Sequence, residues 1–243
     1  MPHPYRPLAD PGDRPADHPA TPPAPAPASR LSRVLLGVFL LAVVVDLGSL
    51  LFGVEAGHLG AKPVLMVVLA GYVVSRRGPG VLVAALLFGW GGDVFLLSGA
   101  DWAFLVGMGC FAVGHVCYLV LFGRRRTSGV RAAVYGVVLL GAVLALWPGL
   151  PAELRVPVAG YSLLLTAMAY RAGSLGPPAA AGGALFLLSD LLIATGVAGW
   201  PQLPAPGFWV MATYIAAQCL LTEGALRATY GDRRTKAVAI NVR

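Results

Sequence analysis

The sequence predicts an all-α fold, a polytopic membrane bundle of eight transmembrane helices. Hydrophobic residues make up 57% of the 243 positions and charged residues only 12%, whereas soluble domains carry about 25% charged residues. The apolar residues also occur in long runs separated by short polar joints, and a helix needs roughly 20 apolar residues to cross a bilayer. Once these runs are assigned to the membrane, no segment is long enough to form a separate soluble domain.

Eight apolar runs define the transmembrane domain, which we place at residues 31–228. The predicted spans are 33–53, 60–75, 79–98, 102–123, 130–147, 156–171, 178–198 and 206–226. The first run is longer than the roughly 7–15 apolar residues of a signal peptide, so we expect an uncleaved helix. The second and sixth runs are short, and each is expected to open with a proline, Pro63 or Pro157.

The two ends of the chain are predicted to be tails on the cytoplasmic side. Residues 1–30 contain ten of the twenty prolines, and such a segment cannot bury enough apolar surface to offset the entropy of ordering it. We therefore expect this tail to be disordered. Residues 229–243 are predicted to be a basic C-terminal tail.

The distribution of basic residues provides an independent test of the span map. With eight spans, sixteen of the eighteen Lys and Arg residues lie on the side of the termini, and only Lys62 and Arg155 lie on the other side. Cytoplasmic loops carry the excess of basic residues, so both termini are predicted to be cytoplasmic, with the protein in the plasma membrane. The net charge of +7 then reflects topology. No basic domain is left to bind nucleic acid, and no obligate protein partner is predicted.

Polar residues inside the spans are the candidate functional groups, because ionisable side chains in a membrane are costly. They are Asp46, Lys62, Asp93, His115, Asp190 and Glu223, with the uncharged Tyr118, Tyr214 and Gln218. His115 and Tyr118 are spaced to share a helix face, and so are Tyr214 and Gln218. Counted from the helix ends, most of these groups fall in the middle and outer half of the bilayer, which predicts one polar pocket between helices.

Two of these residues allow other interpretations. Asp46 fits a helix-packing group, a residue near the membrane interface or a functional one. Glu223 stands four residues before Arg227, a spacing that favours an ion pair over a chemical role.

Asp93 and Asp190 are the strongest candidates for chemistry. Neither has a basic residue one helical turn away, and each follows small residues, Gly91-Gly92 or Ser189, that allow close helix approach. Similar apolar stretches precede both aspartates, at 85–88 and 183–186. This weak repeat suggests two parallel four-helix halves, whose interface would bring the two aspartates together.

Two carboxylates in a low-dielectric pocket rarely both ionise, because desolvation and mutual repulsion favour the neutral form of at least one. A neutral acid beside a carboxylate suits general acid–base hydrolysis. A proton-coupled transporter or a lipid-binding membrane protein would use the same groups, so the residues alone leave both classes open. Only His115 lies inside a predicted span, which is too few histidines for an intramembrane zinc site, and no cofactor or metal is expected.

At these positions the chain resembles the YhhN-like lysoplasmalogenase family, integral membrane hydrolases of alkenyl-glycerophospholipids. The stretches that carry the resemblance are Lys62-Pro63-Val64-Leu65-Met66, Gly92-Asp93-Val94-Phe95-Leu96, His115-Val116-Cys117-Tyr118, Leu188-Ser189-Asp190-Leu191-Leu192 and Tyr214-Ile215-Ala216-Ala217-Gln218. They occur in the family's order on successive spans, and the resemblance covers about residues 33 to 226.

The resemblance implies an eight-span fold and hydrolysis of the vinyl ether of lysoplasmalogen, a glycerophospholipid with one alkenyl chain. The products would be a fatty aldehyde and glycerophosphoethanolamine or glycerophosphocholine. Asp93 and Asp190 would be the catalytic pair, and the partners would be this lysophospholipid substrate and the membrane lipid. The substrate-binding site would be lined by Lys62, His115, Tyr118, Tyr214 and Gln218. Lys62 would meet the phosphate as a point charge, although an interfacial lysine extending to the membrane surface would give the same sequence pattern.

Overall fold

The computed structural model describes residues 29–125 and 127–241, with side chains omitted for Arg234 and 236–241. Within this part of the chain there are eight α-helices and one short 3₁₀ helix, Gly173–Leu175, between the sixth and seventh. The helices are α1 (Arg30–Phe52), α2 (Glu55–Ser75), α3 (Gly80–Leu96), α4 (Asp101–Phe122), α5 (Gly129–Leu146), α6 (Ala152–Ala172), α7 (Pro177–Val197) and α8 (Pro206–Asn241). The all-α prediction is therefore confirmed for the described residues.

Each predicted span corresponds to one helix, but the second and sixth spans were predicted too short. Helices α2 and α6 have 21 residues each, because Pro63 and Pro157 lie inside them rather than at their starts. A proline inside a helix removes one backbone hydrogen bond, and neighbouring helices can compensate for that loss within a membrane. The prolines therefore marked positions inside the helices and gave the wrong boundaries.

The ends of the chain differ from the predicted tails in two ways. Residues 1–28 of the predicted N-terminal tail lie outside the described residues. The predicted tail also included the first residue of α1, Arg30, whose helix is capped when the Ser29 side chain accepts a hydrogen bond from the Ser32 N–H at 3.1 Å. At the other end, α8 continues through the predicted C-terminal tail to Asn241.

Five helices, α1, α2, α4, α5 and α7, are long and apolar enough to cross a membrane by length and composition. Helix α3 is also apolar but has only 17 residues. Many large apolar side chains point away from the protein, such as Val44 and Val137, which are 69% and 71% exposed. Exposed apolar surface on this scale requires a lipid environment, so the chain is an integral membrane protein. Helices α6 and α8 are less apolar because they carry polar residues such as Tyr161, Tyr214 and Gln218.

The helices pack mainly as sequential pairs, with α1 along α2, α3 along α4 and α7 along α8. Helix α4 also packs against α6, which joins the two halves of the chain. Close approach depends on small residues, since a Cβ added at Gly92 would lie 2.5 Å from the Phe111 ring. Helix α5 is the exception, because Leu146 is its only buried residue.

Candidate active site

Asp93 lies near the C-terminal end of α3 and faces α2, where Lys62 is also buried. The Lys62 Nζ atom is 3.9 Å from Asp93 Oδ1, so the two groups form a buried ion pair. The other carboxylate oxygen, Asp93 Oδ2, is buried and has no hydrogen-bond partner among the described atoms. Buried oxygens normally have partners, so this one is available to a water molecule or a ligand. The burial of Lys62 does not fit a lysine that extends to the membrane surface.

A second group of polar side chains connects α4 with α8 beside Asp93. The Tyr118 hydroxyl donates to Gln218 Oε1 at 2.6 Å, and Gln218 Nε2 donates to the Tyr214 hydroxyl at 3.2 Å. The Tyr214 hydroxyl in turn lies near the Asp93 carboxylate. The predicted shared face of Tyr214 and Gln218 is confirmed by their direct contact.

Asp190 belongs to a different network that the sequence did not predict. The Tyr161 hydroxyl on α6 donates to Asp190 Oδ2 on α7, and the same hydroxyl lies 3.0 Å from His115 Nε2 on α4. His115 and Tyr118, although three residues apart on one helix, therefore belong to separate networks. Tyr161 was missed because a single tyrosine in an apolar run resembles an ordinary packing residue. Tyr118 lies in a similar run and was predicted because it stands three residues after His115.

Aromatic rings fill the space between these networks. Phe186 contacts the His115 ring at a centroid distance of 4.8 Å and the Tyr214 ring at 5.4 Å, with Phe111 packed edge-on against Phe186 and Tyr214. The predicted polar groups are therefore gathered in one region of the bundle but divided by rings. The two carboxylates, Asp93 and Asp190, lie close enough for their charges to interact.

A cavity of about 470 Å³ lies beside Asp190, between α4, α5, α6 and α7. Ligand pockets in proteins commonly have volumes of roughly 300–1,000 Å³. Its walls are mostly Val, Leu, Ala and Phe. Along α6 the lining residues run from Arg155 through Tyr161 to Thr166, and Asp190 lines the cavity from α7. Asp93 is not among the residues that line this cavity. The structure therefore divides the single polar pocket that the sequence predicted, because Asp190 lines the cavity and Asp93 does not.

Another polar pair lies next to the Asp93 side of the site. Asp46 of α1 is fully buried, and its Oδ1 atom is 2.8 Å from His58 Nδ1 of α2. The prediction that His115 is the only histidine in a span is wrong, because α2 begins at Glu55 and therefore includes His58. The charges of Asp46 and Lys62 are close enough to interact. Asp46 is therefore part of the buried polar region rather than an interfacial residue.

Glu223 plays the role predicted for it outside this region. Its Oε1 atom is 2.6 Å from Arg227 Nε, and both side chains are exposed. The i, i+4 spacing had indicated this ion pair.

Comparison with known proteins identifies the family. The YhhN family model matches residues 57–225, a range that includes Lys62, Asp93, His115, Asp190 and Gln218. The chain belongs to the YhhN family. The resemblance noted in the five sequence stretches is thereby confirmed.

Several curated relatives of the chain carry the name lysoplasmalogenase. Lysoplasmalogenase TMEM86B of Homo sapiens is 36% identical over 151 residues, which cover 61% of this chain and 64% of that protein. The Rattus norvegicus protein of the same name is 34% identical, covering 69% of this chain and 71% of that protein. A lysoplasmalogenase of Mycobacterium tuberculosis is 32% identical, covering 77% and 78%. The match therefore spans slightly less than two thirds of the human protein. No solved structure matches the chain.

Proposed function

We propose that this YhhN-family protein is an intramembrane hydrolase that cleaves the vinyl ether bond of lysoplasmalogen to a fatty aldehyde and a glycerophospho head group. One observation carries the proposal. The carboxyl group of Asp190 faces an apolar cavity of about 470 Å³. Its charge interacts with that of a second carboxylate, Asp93, which is paired with the buried Lys62. The names of the relatives support lysoplasmalogen as the substrate.

In the proposed reaction, Asp190 is the general acid. Vinyl ethers hydrolyse when a proton adds to the β-carbon of the double bond, which leaves an oxocarbenium ion. Asp190 lines the cavity and has no cation within salt-bridge distance among the described residues, so it is the carboxyl group better suited to hold and deliver a proton. A positioned acid of this kind accelerates a reaction by roughly 10²–10⁴-fold.

Asp93 is the partner that remains a carboxylate in this proposal, because the Lys62 cation at 3.9 Å stabilises its charge. A negative charge behind the cavity would stabilise the developing oxocarbenium ion. Having given up its proton, Asp190 is a carboxylate on the cavity wall, and it would accept a proton from the attacking water, which restores the acid for the next turnover. The resulting hemiacetal then collapses to the aldehyde and the free hydroxyl of the glycerol, with net consumption of one water.

The remaining predicted residues position this pair. We propose that Tyr161, held by His115, orients Asp190 through its hydrogen bond to Oδ2. Tyr118 and Gln218 support Tyr214, whose hydroxyl lies near Asp93. Lys62 serves in this scheme as the counter-ion of Asp93 rather than as a ligand of the phosphate.

The membrane arrangement that goes with this function has eight crossings and both termini in the cytoplasm, in the plasma membrane. Its support is the distribution of basic residues, with sixteen of eighteen on the side of the termini. The site would then lie in the middle and outer half of the bilayer. Two parallel four-helix halves would place α3 and α7 at corresponding positions, consistent with an aspartate on each.

Isotopes in the products provide the direct test. The full chain, purified in micelles, is incubated with 1-alkenyl-glycerophosphoethanolamine, and the aldehyde is trapped at once as a hydrazone for mass spectrometry. In ²H₂O, one deuterium should appear on the carbon next to the carbonyl, because Asp190 exchanges its proton with solvent before delivering it. For H₂¹⁸O the aldehyde is instead reduced at once to the alcohol with borohydride, because hydrazone formation would remove its oxygen. The label should appear in this alcohol, since water adds to the oxocarbenium carbon.

Two results would contradict the proposal. Label in the glycerol hydroxyl instead of the aldehyde would mean that a different bond is cleaved. Substrate-dependent proton flux in liposomes, with no aldehyde formed in micelles, would favour a proton-coupled transporter.

A further inference from the structure

We propose that Arg155 binds the phosphate of the single-chain lipid and so fixes the direction in which the substrate lies in the cavity. The phosphate would lie at Arg155, the vinyl ether beside Asp190, and the alkenyl chain toward the apolar end near Leu165 and Ala184. This inference rests on the proposed function and adds a head-group subsite to it.

Two cations are candidates for binding the phosphate. Only Lys62 and Arg155 lie on the side of the spans away from the termini. Lys62 is buried and already paired with Asp93 at 3.9 Å. Arg155, in contrast, lines the cavity itself and forms no ion pair with any described residue, including Glu153 in the same helical turn. A phosphate entering the cavity would therefore find in Arg155 a positive charge on the cavity wall that has no ion-pair partner among the described residues.

The guanidinium group of Arg155 is held in place by its neighbours. Arg155 Nε donates to the Leu150 carbonyl at 3.2 Å, and the guanidinium carbon lies 5.9 Å from the centroid of the Trp147 ring. Trp147 and Leu150 also line the cavity. These contacts use one N–H group and one face of the guanidinium, and the terminal nitrogens have no hydrogen-bond acceptor among the described residues. Two terminal N–H groups suit bidentate binding of phosphate oxygens.

The spacing of residues along α6 matches the spacing of groups in the lipid. Arg155 and Tyr161 are six residues apart, which corresponds to about 9 Å along a helix. In a 1-alkenyl glycerophospholipid, the glycerol backbone and its two oxygens separate the vinyl ether from the phosphorus, and this separation is comparable. Beyond Tyr161 the cavity continues along apolar residues to Leu165 on α6 and Ala184 on α7. The cavity thus offers charge, acid and apolar surface in the same order as the lipid offers phosphate, vinyl ether and chain.

A purely structural role for Arg155, anchoring α6 at the membrane interface, makes a different prediction. Loss of an anchor would affect every substrate equally, whereas loss of a phosphate ligand affects only substrates that carry phosphate. The test therefore compares 1-alkenyl-glycerophosphoethanolamine with 1-alkenylglycerol, which has the same vinyl ether and no phosphate. The variants are Arg155→Gln and Arg155→Lys, and Arg227→Gln is the control, because Arg227 is exposed and, among the described side chains, pairs only with Glu223.

We expect Arg155→Gln to lower kcat/KM for the phospholipid roughly 10- to 100-fold, mainly through KM, and to leave kcat/KM for the alkenylglycerol unchanged. Arg155→Lys should fall between the wild type and Arg155→Gln, since a lysine provides charge without the bidentate geometry. Arg227→Gln should match the wild type on both substrates. An equal loss on both substrates, or an unchanged preference for the phospholipid in Arg155→Gln, would overturn the proposal.

A binding measurement separates this subsite from the proposed reaction. The 1-alkyl ether analogue of the phospholipid has no vinyl group and is not hydrolysed, so its affinity can be measured by calorimetry in detergent. Weaker binding of this analogue to Arg155→Gln, with unchanged binding of 1-alkylglycerol, would support the subsite even if no aldehyde were formed from any substrate. Equal affinities of Arg155→Gln and Arg155→Lys for the analogue at the wild-type value would overturn it.

Discussion

Asp93 and Asp190 are the same residue type at similar positions along α3 and α7, but their surroundings differ in charge and in access. Asp93 is buried against a lysine and lies behind aromatic rings. Asp190 is half-buried, receives a hydrogen bond from Tyr161 and opens onto an apolar cavity. Environments of this kind can separate the roles of two carboxylates, since a neighbouring cation favours the charged form and an apolar wall favours the neutral one.

The comparison indicates how two aspartates on different helices can come to have different chemical roles. A carboxylate on α3 has a cation on the preceding helix, α2. Helix α6, which precedes the α7 helix of Asp190, offers the hydroxyl of Tyr161 instead. The chemical difference between the two aspartates therefore comes from α2 and α6, and substitutions on those helices should sharpen or remove it.

The largest effect is expected from Asp190→Asn, which removes the proposed acid and keeps the shape of the side chain. We expect kcat to fall by roughly 10²–10⁴-fold, the usual contribution of a general acid. Aldehyde release from purified protein in micelles measures it. Asp101→Asn is the matched control, because Asp101 is an exposed aspartate at the start of α4. Activity of Asp190→Asn within a factor of a few of the wild type would contradict the assignment.

The second prediction concerns the charge of Lys62. Asp93→Asn leaves this lysine buried without its partner, and breaking a buried ion pair from one side costs about 3–5 kcal/mol. The variant should therefore unfold at a clearly lower temperature in detergent than Asp190→Asn, whose partner Tyr161 is neutral. Lys62→Met combined with Asp93→Asn should restore most of the thermal stability without restoring activity. Equal unfolding temperatures for the two single Asn variants would mean that the ion pair does not distinguish the aspartates.

A smaller effect is expected from Tyr161→Phe, which disconnects His115 from Asp190. The change leaves an oxygen of the neutral Asp190 acid without its hydrogen-bond partner, which costs roughly 1–3 kcal/mol, so the rate should fall by about tenfold. Tyr118→Phe removes a similar hydroxyl on the Asp93 side, where it contacts Gln218 rather than a carboxylate, and should cost less. If Tyr118→Phe proved the more damaging of the two, the Tyr161 network would not be the one that positions the acid.

The smallest expected effect is a change in chain-length preference. Ala184 lines the apolar end of the cavity, so Ala184→Phe should shorten the space beyond Asp190. We expect the ratio of kcat/KM for long over short alkenyl chains to fall by about 3- to 10-fold. Ala181→Phe on the same helix is the control, because Ala181 is exposed and does not line the cavity. If both variants responded identically to the length of the alkenyl chain, the chain would not lie in the cavity beside Ala184.

The number and order of the helices could be predicted from the sequence because bilayer thickness sets the length of the apolar runs. The ends of α2 and α6 could not, since Pro63 and Pro157 were interpreted as helix starts. The site could be predicted only in part. Helical spacing determines which side chains share a face, as for Tyr214 and Gln218, but not which neighbouring helix that face meets.

Contacts between helices were therefore the part of the site that the sequence could not provide. The approach of Lys62 to Asp93 joins α2 to α3 over 31 positions of the chain, and the hydrogen bond from Tyr161 to Asp190 joins α6 to α7. Both depend on how the helices rotate and tilt against each other. A family resemblance could supply the important residues, but not the division of these residues into two networks.

Helix α5 has Leu146 as its only buried residue, and one of its sides forms a wall of the cavity. The remaining surface of α5 would contact lipid tails, so only this one helix separates them from the space beside Asp190 on that side. A single-chain amphiphile already in the leaflet would reach that space by moving within the plane of the membrane. The alkenyl chain of the lipid would then stay out of water throughout. This avoids the free-energy cost of exposing it to water, about 0.8 kcal/mol for each CH₂ group. Turnover would then follow the mole fraction of the lipid in the bilayer rather than its concentration in water.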